Sequence, residues 1–442
     1  MPLWDPFRYV RHTKARLEST GWWHSFELPN GTRIEGAVTV KALQHRVSGY
    51  QIPEDLRGKR VLDIGAWDGW YSFEMERRGA DVLAIDVWDN PRFHEIHSLL
   101  GSSVEYRTMD VYDLTPERVG RFDIVLFLGV LYHLKHPLLA LERVCSVTGD
   151  LAIVDSFVLK RRHWPWAGLG RRRVMEFYET DELGGEIDNW VGPSIPCLLA
   201  LCRTAGFARV QLRSVVPHSA CVACYRTWDA EVDGHQPAPS LTAAFHHTNY
   251  GINFSSQRDD YVVCWFDTRG GDLGIDDVRP DVAGFGTRPI RAARREQASW
   301  LASFKLPPGL SDGWHPVRVR VRNGPPSNSL PVAVDVPLPE VPVTITGVAD
   351  GTTWEPNRLE RGAGTTLCLW VEGLPQNADR GNVKATLGSR PVPVTHVEPA
   401  GTDQNPRQVN VEVPKDVPLG RTDVSVVLGS QTSEPAPVEI LA

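Results

Sequence analysis

Residues Val61 to Gly69 read VLDIGAWDG, and no other stretch restricts the fold of this chain as strongly. An apolar run, Arg60-Val61-Leu62, leads into Asp63-x-Gly65-x-x-x-Gly69. Helix-compatible residues follow from Trp70 to Arg78, and a second apolar run, Val82-Leu83-Ala84-Ile85, ends on Asp86. Strand, glycine turn, helix and strand in that order form the βαβ unit of nucleotide-binding sheets. Glycine permits positive φ and lets a ligand approach the backbone where a Cβ would otherwise stand. An acid about twenty residues beyond the loop can grip a ribose diol. The dinucleotide spacing G-x-G-x-x-G does not fit, because Trp67 and Trp70 hold positions that need glycine.

Composition adds mostly exclusions. A chain of 442 residues is long for one domain, so two or three are expected. The formal charge of −7 argues against binding nucleic acid by gross electrostatics, although the first half is nearly neutral. No apolar run approaches the roughly 20 residues that span a bilayer, so no membrane partner is expected. The N-terminal MPLWDPFRYVRH shows no apolar core of a signal peptide, and a cytoplasmic protein is expected. The seven cysteines are scattered. Cys221-Val-Ala-Cys224 is the single C-x-x-C, within the strand-like HSACVACYR. Three positions along a strand place the two thiols on opposite faces, which disfavours a disulfide or a shared metal. No metal site is expected.

Downstream, Met109-Asp110-Val111 follows a strand-like stretch, Val104 to Thr108, and FDIVLFLGVLYHL (Phe122 to Leu134) reads as a buried strand and its loop. Pro137 suits the first position of a helix to about Val147, Leu151 to Asp155 reads as a strand, and Ser194 suits the cap of a helix from Cys197 to Thr204. Phe207 to Arg213 and Ala220 to Tyr225 read as two final strands. With Asp-x-Gly-x-x-x-Gly, this set resembles class I S-adenosylmethionine (AdoMet) methyltransferases, an α/β Rossmann-like fold. GVLYHLKHPLLALERV (Gly129 to Val144), WWHSFELPNG (Trp22 to Gly31) and MEFYETDELGG…NWVGPS (Met175 to Ser194) narrow the likeness. They resemble the tRNA wobble-uridine 5-oxyacetic acid methyltransferase family and its carboxymethyl-transferring relatives, over roughly residues 20 to 226.

The resemblance implies a site. Asp86 would accept the ribose hydroxyls; the other reading is a solvated acid at a strand end. Gly65 and Gly69 would wrap the methionyl part, and Asp63 would order the loop or meet the ligand ammonium through water. Asp110, with Val111, would read the adenine edge, or is a plain turn aspartate. Gly129 opens the loop after the fourth strand. Trp67, Trp70 and Trp88 lie near these loops, and one can wall the adenine or sulfonium, since aromatic faces attract cations; packing is the other role open to each. His133 is the candidate base, with an intrinsic pKa of about 6.5 suited to removing a hydroxyl proton; a histidine bonded to loop backbone is the other reading. His24 is the second candidate. Tyr132, Tyr178, Asn189 and Trp190 fall on the family phrases and are expected in the acceptor pocket. Lys160-Arg161-Arg162 and Arg171-Arg172-Arg173 bracket His163-Trp-Pro-Trp166, suiting either phosphate binding or a solvated lid. The basic groups that recognise an extra cofactor carboxylate in the carboxymethyl-transferring relatives have no assigned counterpart here, so ordinary S-adenosyl-L-methionine is the expected cofactor.

After about residue 226, proline, glycine, valine and threonine dominate, and the sequence repeats. Cys264-Trp265-Phe266 matches Leu369-Trp370-Val371, Phe304 to Pro308 matches Val411 to Lys415, and Leu330 to Val334 matches Ala436 to Ile440. Gly313 with Val317, Val319 and Val321 matches Gly420 with Val424, Val426 and Leu428, and FGTRPI (Phe285 to Ile290) matches LGSRPV (Leu387 to Val392). The period of about 105 residues is too long for a solenoid and suits a duplicated immunoglobulin-like sandwich. It resembles IPT/TIG-type modules. Three domains are expected: residues 1–228 for the methyltransferase with an N-terminal lid, 236–336 and 340–442 for two β-sandwiches. Asp229 to Pro239 and the proline-rich Asp335 to Pro342 would be the linkers. A chain ending near Arg226 is therefore expected to fold by itself.

The function expected is AdoMet-dependent methylation, on oxygen, of a small molecule or saccharide. The alternatives are a tRNA wobble-uridine enzyme, disfavoured by charge, and an inactive nucleotide-binding scaffold whose β modules bind a protein or glycan.

Overall fold

The computed structural model describes residues 17, 19–159, 171–216, 218–228, 232–234, 236–248, 250–269, 271–295, 298–336, 342–362, 364–374, 378–399, 406–428 and 431–442. The expected basic bracket falls largely outside these residues, with Arg171 to Arg173 inside them.

The first half is built on one seven-stranded sheet. Its strands are β1 (Arg60–Ile64), β2 (Asp81–Asp86), β3 (Glu105–Thr108), β4 (Phe122–Leu128), β5 (Thr148–Phe157), β6 (Arg209–Val216) and β7 (Ser219–Tyr225). Their order across the sheet is β6-β7-β5-β4-β1-β2-β3. β3, β2, β1, β4 and β5 pair in parallel, and β7 runs antiparallel to both β5 and β6. Five parallel strands closed by an antiparallel hairpin is the class I methyltransferase arrangement.

Both faces of this sheet are covered, which explains why β4 reads as an unbroken apolar run rather than an alternation. On one face, Leu62, Ile85, Phe127 and Val154 pack against Leu141 and Val144 of helix Pro137–Val147 and Leu198 of helix Ile195–Thr204. On the other, Val61, Ala84, Leu126 and Ile153 pack against Leu43 and Val47 of helix Val40–Tyr50, Met75 of helix Trp70–Arg77 and Phe93 of helix Pro91–Leu100. Burying a Leu or Phe this completely contributes about 1.5–3 kcal/mol each. Cys224 lies in the first cluster and Cys221 in the second, so the C-x-x-C straddles the sheet and all seven cysteines are free. Ser194 caps its helix by accepting from the Cys197 backbone N–H at 3.2 Å, as expected from the sequence.

The second half is β-rich. One four-stranded sheet runs Ser240–His246, Tyr261–Asp267, Ser299–Lys305, Pro289–Arg294. Another runs Thr344–Asp350, Thr366–Glu372, Arg407–Glu412, Val394–Val397, the same order about 105 residues on. Bulges recur at matching places, Leu241/Ala243 with Ile345/Gly347 and Pro289/Arg291 with Val394/His396. A parallel pair recurs as well, Asn253–Phe254 on Leu330–Val334 and Arg358–Glu360 on Ala436–Leu441. Trp265 and Trp370 face Ala243 and Gly347 across equivalent strand pairs. The FGTRPI match differs from the other four. Phe285 begins the return strand of its hairpin, whereas Leu387 ends the outgoing strand of the other, so the phrases are offset by a turn.

The chain divides into two compact units where three domains were expected. The first comprises residues 1–232 together with 279–288 and 307–310. Arg226 explains why those segments belong to it. Its side chain is fully buried, its guanidinium lies 4.2 Å from the Phe285 ring centre, and it donates to the Pro308 carbonyl at 2.8 Å and the Cys145 sulfur at 3.0 Å. The Gly286 backbone N–H donates to the Arg226 carbonyl at 2.8 Å. A cut after Trp228 removes the Pro308 acceptor and the Phe285 ring, opening to water the guanidinium and the apolar surface that they cover. A chain cut after Trp228 is thus expected to melt well below the full chain, or to be insoluble. A truncated chain with an unchanged melting temperature would show these segments to be dispensable.

Candidate functional site

The site forms where β1, β2, β4 and β5 end. Gly65 has φ +73 and Gly69 has φ +88, the left-handed region expected of the loop. Space is equally restrictive, because a Cβ on Gly65 would stand 2.4 Å from Val130 Cγ2. Between them Trp67, without glycine's freedom, is held at φ +55. The restraint is Asp86, whose Oδ2 accepts the Trp67 backbone N–H at 2.9 Å. Trp67 and Trp88 rings lie 5.6 Å apart, and Trp88 is about half exposed. Trp70 is buried in the apolar cluster beside the sheet, a packing residue.

Strand register aligns three carboxylates on one face of the sheet. Asp63 pairs with Ala84 and Leu126, and Leu126 pairs with Ile153. Asp86 and Asp155 lie two residues beyond Ala84 and Ile153, so alternation brings them to the face of Asp63. All three are buried. Asp63 accepts from the Ser72 hydroxyl at 2.6 Å, and burial pushes its carboxyl up to about 6 despite that bond. Burial also raises Asp86, against the pull of backbone N–H groups from Trp67, Trp88 and Val87. A negative edge of this kind attracts a ligand that carries a sulfonium and an ammonium. Near pH 6, binding of S-adenosylhomocysteine, which keeps the ammonium, is expected to expel a proton from Asp63. Calorimetry in two buffers of different ionisation heat measures that release, and a buffer-independent heat would contradict it.

Asp110 caps the turn Val111–Asp113, accepting from the Tyr112 backbone N–H at 2.9 Å through Oδ1. Val111 is buried behind it. Gly129 follows β4 at φ +76, its N–H bonded to the Asp155 carbonyl at 2.8 Å.

His133 ends the one-turn helix Leu131–His133. Its Nδ1 stands 3.3 Å from the Asp188 carbonyl oxygen and 3.4 Å from the Asp188 carboxylate. An N–H on Nδ1 donated there leaves the Nε2 lone pair to take a proton. Burial lowers the ring's pKa from its ordinary value, with Asp188 opposing, so the neutral form prevails at pH 7. His24 is placed differently. Its ring and backbone N–H both bind the fully buried Asp68 of the glycine loop, the backbone at 3.0 Å. It therefore clips the N-terminal segment to the loop.

The strap from residues 175 to 193 is tied to the His133 loop, with Trp190 N–H on the Tyr132 carbonyl at 2.8 Å and Tyr178 N–H on the Trp190 carbonyl at 2.9 Å. Tyr178 is buried and donates to Glu176 at 3.1 Å. Asn189 is buried, its nitrogen donating to the Leu183 carbonyl at 2.7 Å. These two brace the strap. Tyr132 and Trp190 are half-buried, and Lys135 lies 4.3 Å over the Trp190 ring. Sequence reasoning did not single out Asp155, which shares a face with Asp63 and Asp86, or Asp68, which holds His24. Asp155 carried the same signal as Asp86, an acid directly after an apolar strand; Asp68 carried none. Among the described residues no cluster could hold a metal, and no helix is long and apolar enough to cross a membrane.

The family described as "Methyltransferase domain" matches residues 38–185. The ubiquinone biosynthesis O-methyltransferase of Acinetobacter baylyi is 38% identical over 86 residues, 19% of this chain and 36% of that enzyme. The tRNA U34 carboxymethyltransferase of Pseudomonas syringae pv. tomato is 31% identical over 164 residues, 36% of this chain and 48% of that enzyme. The chain thus spans less than half the length of either relative. Among solved structures, the N-terminal domain of EvdMO1, crystallised in the presence of SAH and D-fucose, is 21% identical with a TM-score of 0.37, covering 50% of this chain and 97% of that one. Over residues 38–185 the chain carries a methyltransferase domain, of the kind that uses S-adenosylmethionine as cofactor.

Proposed function

We propose that this chain transfers the methyl group of AdoMet to an oxygen of a small molecule or saccharide. Asp86 holds the ribose, Asp110 and Val111 the adenine edge, and Gly65, Trp67 and Gly69 the methionyl end, with Asp63 behind them. Transfer is an in-line displacement at carbon: the acceptor oxygen forms its bond to the methyl as the sulfur leaves with the electron pair. Alignment of acceptor, methyl and sulfur supplies much of the rate. A neutral His133, its Nε2 open, takes the hydroxyl proton. The observation that carries an oxygen acceptor is this histidine on the loop after β4, held in one tautomer by Asp188. The ubiquinone enzyme, an O-methyltransferase, shares sequence with this domain. Tyr132 and Trp190 border the acceptor, while Tyr178 and Asn189 shape the strap around it. The β-rich half forms two immunoglobulin-like sandwiches from one duplication, supported by the recurrent strand order and bulges.

Labelled AdoMet supplied with bulk tRNA and, separately, with cell-extract metabolites tests this reading. Label is expected in small molecules. Label confined to a wobble uridine would replace it with the activity named in the tRNA relative, and no transfer with intact cofactor binding would favour a scaffold.

A further inference from the structure

The second copy in the β-rich half carries an aromatic platform that none of the roles above uses. In the sheet Thr344–Asp350, Thr366–Glu372, Arg407–Glu412, Val394–Val397, the side chains of Leu369, Val371, Val409 and Val411 lie in a buried cluster. Alternation turns Trp370, Gln408 and Asn410 to the opposite face. Register sets Trp370 between Gln408 and Gly347, and Asn410 beside His396. Gly347 makes room for the indole, because a Cβ there would stand 3.1 Å from Trp370 Cε3. Trp354, from the turn after the first of these strands, is 56% exposed, and its ring centre lies 6.0 Å from that of Trp370.

Trp354 is held in place against its own backbone preference. It sits at φ +62, a region that bulky residues avoid. Its N–H donates to the Asp350 carbonyl at 3.0 Å, and the buried Asp350 carboxylate accepts the Thr352 and Thr353 N–H groups at 2.7 and 2.8 Å. The equivalent turn of the first copy also presents an exposed aromatic, Tyr250, at φ +58, with its N–H on the His246 carbonyl at 3.0 Å. Burial does not explain a ring left in water, and backbone strain of this kind clusters where ligands are held.

Beside the rings stands a fixed pair of amides. Gln408 Nε2 donates to Asn410 Oδ1 at 2.7 Å and to the Cys368 sulfur at 3.4 Å. Gln408 Oε1 is left as an acceptor and Asn410 Nδ2 as a donor, each without a partner among the described residues. Adjacent hydroxyls of a sugar, each able to donate and to accept, match that pair. Arg407 is the one lysine or arginine on these four described strands, and it is buried. A polyanion such as RNA finds neither here to neutralise it. A protein partner calls for a wider apolar core than two rings bordered by amides.

We propose that this face binds a neutral saccharide chain. The C–H face of a pyranose stacks on Trp354 and Trp370, whose π faces are electron-rich, while adjacent hydroxyls donate to Gln408 Oε1 and accept from Asn410 Nδ2. The first copy has diverged at the same positions. Leu301 and Ser303 stand where the second has Gln408 and Asn410, and the Arg295 guanidinium lies 3.7 Å over the Trp265 ring. The site therefore belongs to the second copy. It does not depend on the methyl-transfer reading.

The test uses the full chain. Saturation-transfer NMR reads binding of maltohexaose, cellohexaose and chitohexaose, with oligouridylate and dextran sulfate as anionic probes. At least one neutral oligosaccharide is expected to bind, with the strongest saturation on ring C–H protons. Trp354→Ala, which removes an exposed ring, is expected to weaken that binding at least tenfold, with the melting temperature and S-adenosylhomocysteine affinity unchanged. Gln408→Leu, which copies the first repeat, and Asn410→Ala are each expected to weaken it severalfold. If Trp354→Ala lowers the melting temperature, these two variants decide. Tyr250→Ala, in the first copy, is expected to bind like the parent chain. The proposal is overturned if no neutral oligosaccharide binds, if the anionic probes bind instead, if Trp354→Ala and Gln408→Leu both keep the parent affinity, or if binding is lost in Tyr250→Ala alone. Self-association of the chain that Trp354→Ala abolishes would also overturn it, assigning the face to a second copy of the protein.

Discussion

Asp86→Ala is expected to weaken S-adenosylhomocysteine binding by about ten- to a hundredfold, or roughly 1.4–3 kcal/mol. Two losses combine in that figure. The ribose hydroxyls lose their charged acceptor, and the loop loses the bond that holds Trp67. Oδ2 of Asp86 accepts the Trp67 N–H at 2.9 Å, and Trp67 occupies φ +55 without glycine's freedom. A non-glycine residue in that region stores about 1–3 kcal/mol, which the surrounding bonds must sustain. Asp86→Asn retains an oxygen that can accept from Trp67 while removing the charge. It should therefore bind more tightly than the alanine variant, and the difference between the two reports the loop. Calorimetry on the three chains makes the comparison. Equal affinity of Asp86→Ala and the parent would remove Asp86 from the cofactor site.

His133→Ala is expected to lower turnover by about 10²–10⁴ while leaving S-adenosylhomocysteine affinity within about twofold, since the base meets the acceptor hydroxyl and not the nucleoside. The pH profile gives an independent check. Burial lowers the His133 pKa below 6.5, and Asp188 only partly offsets it. A base must be unprotonated to act. The acid limb of kcat/KM should therefore fall as pH drops through a value below 6.5, and be flat above it. Asp188→Asn removes a charge that favours the imidazolium, so it should move that limb to still lower pH. A limb that stays in place in His133→Ala, in whatever activity remains, would transfer the role to another group. Asp155 is the next carboxylate along this edge.

The strand–loop–helix–strand unit from Arg60 to Asp86 was legible because its causes are local. Two buried strands need apolar runs, and a turn at φ +73 and +88 needs glycine. The order of the remaining strands, the Ser194 cap and the opposite faces of Cys221 and Cys224 follow from the same kind of rule, with signals lying within a few residues of each other. In the β half, the recurrent phrases Trp265/Trp370 and Gly313/Gly420 fall on equivalent strands, since duplicated strands keep their inward pattern.

What only the tertiary structure decided lies between residues far apart in sequence. His24, the second candidate base, has its ring on Asp68, 44 positions away at the centre of the glycine loop, a tie that no local signal announces. Tyr50 and Asp155, 105 positions apart, meet only because the helix Val40–Tyr50 covers the sheet face on which Asp155 emerges. Arg226 reads as the end of a domain and proves to be its buried anchor, enclosed by Phe285 and Pro308. A polar side chain in sequence carries no mark of whether water or a buried partner will satisfy it. Packing makes that choice, because a charge taken out of water must find its counterpart among whichever residues the folded chain brings to the same place.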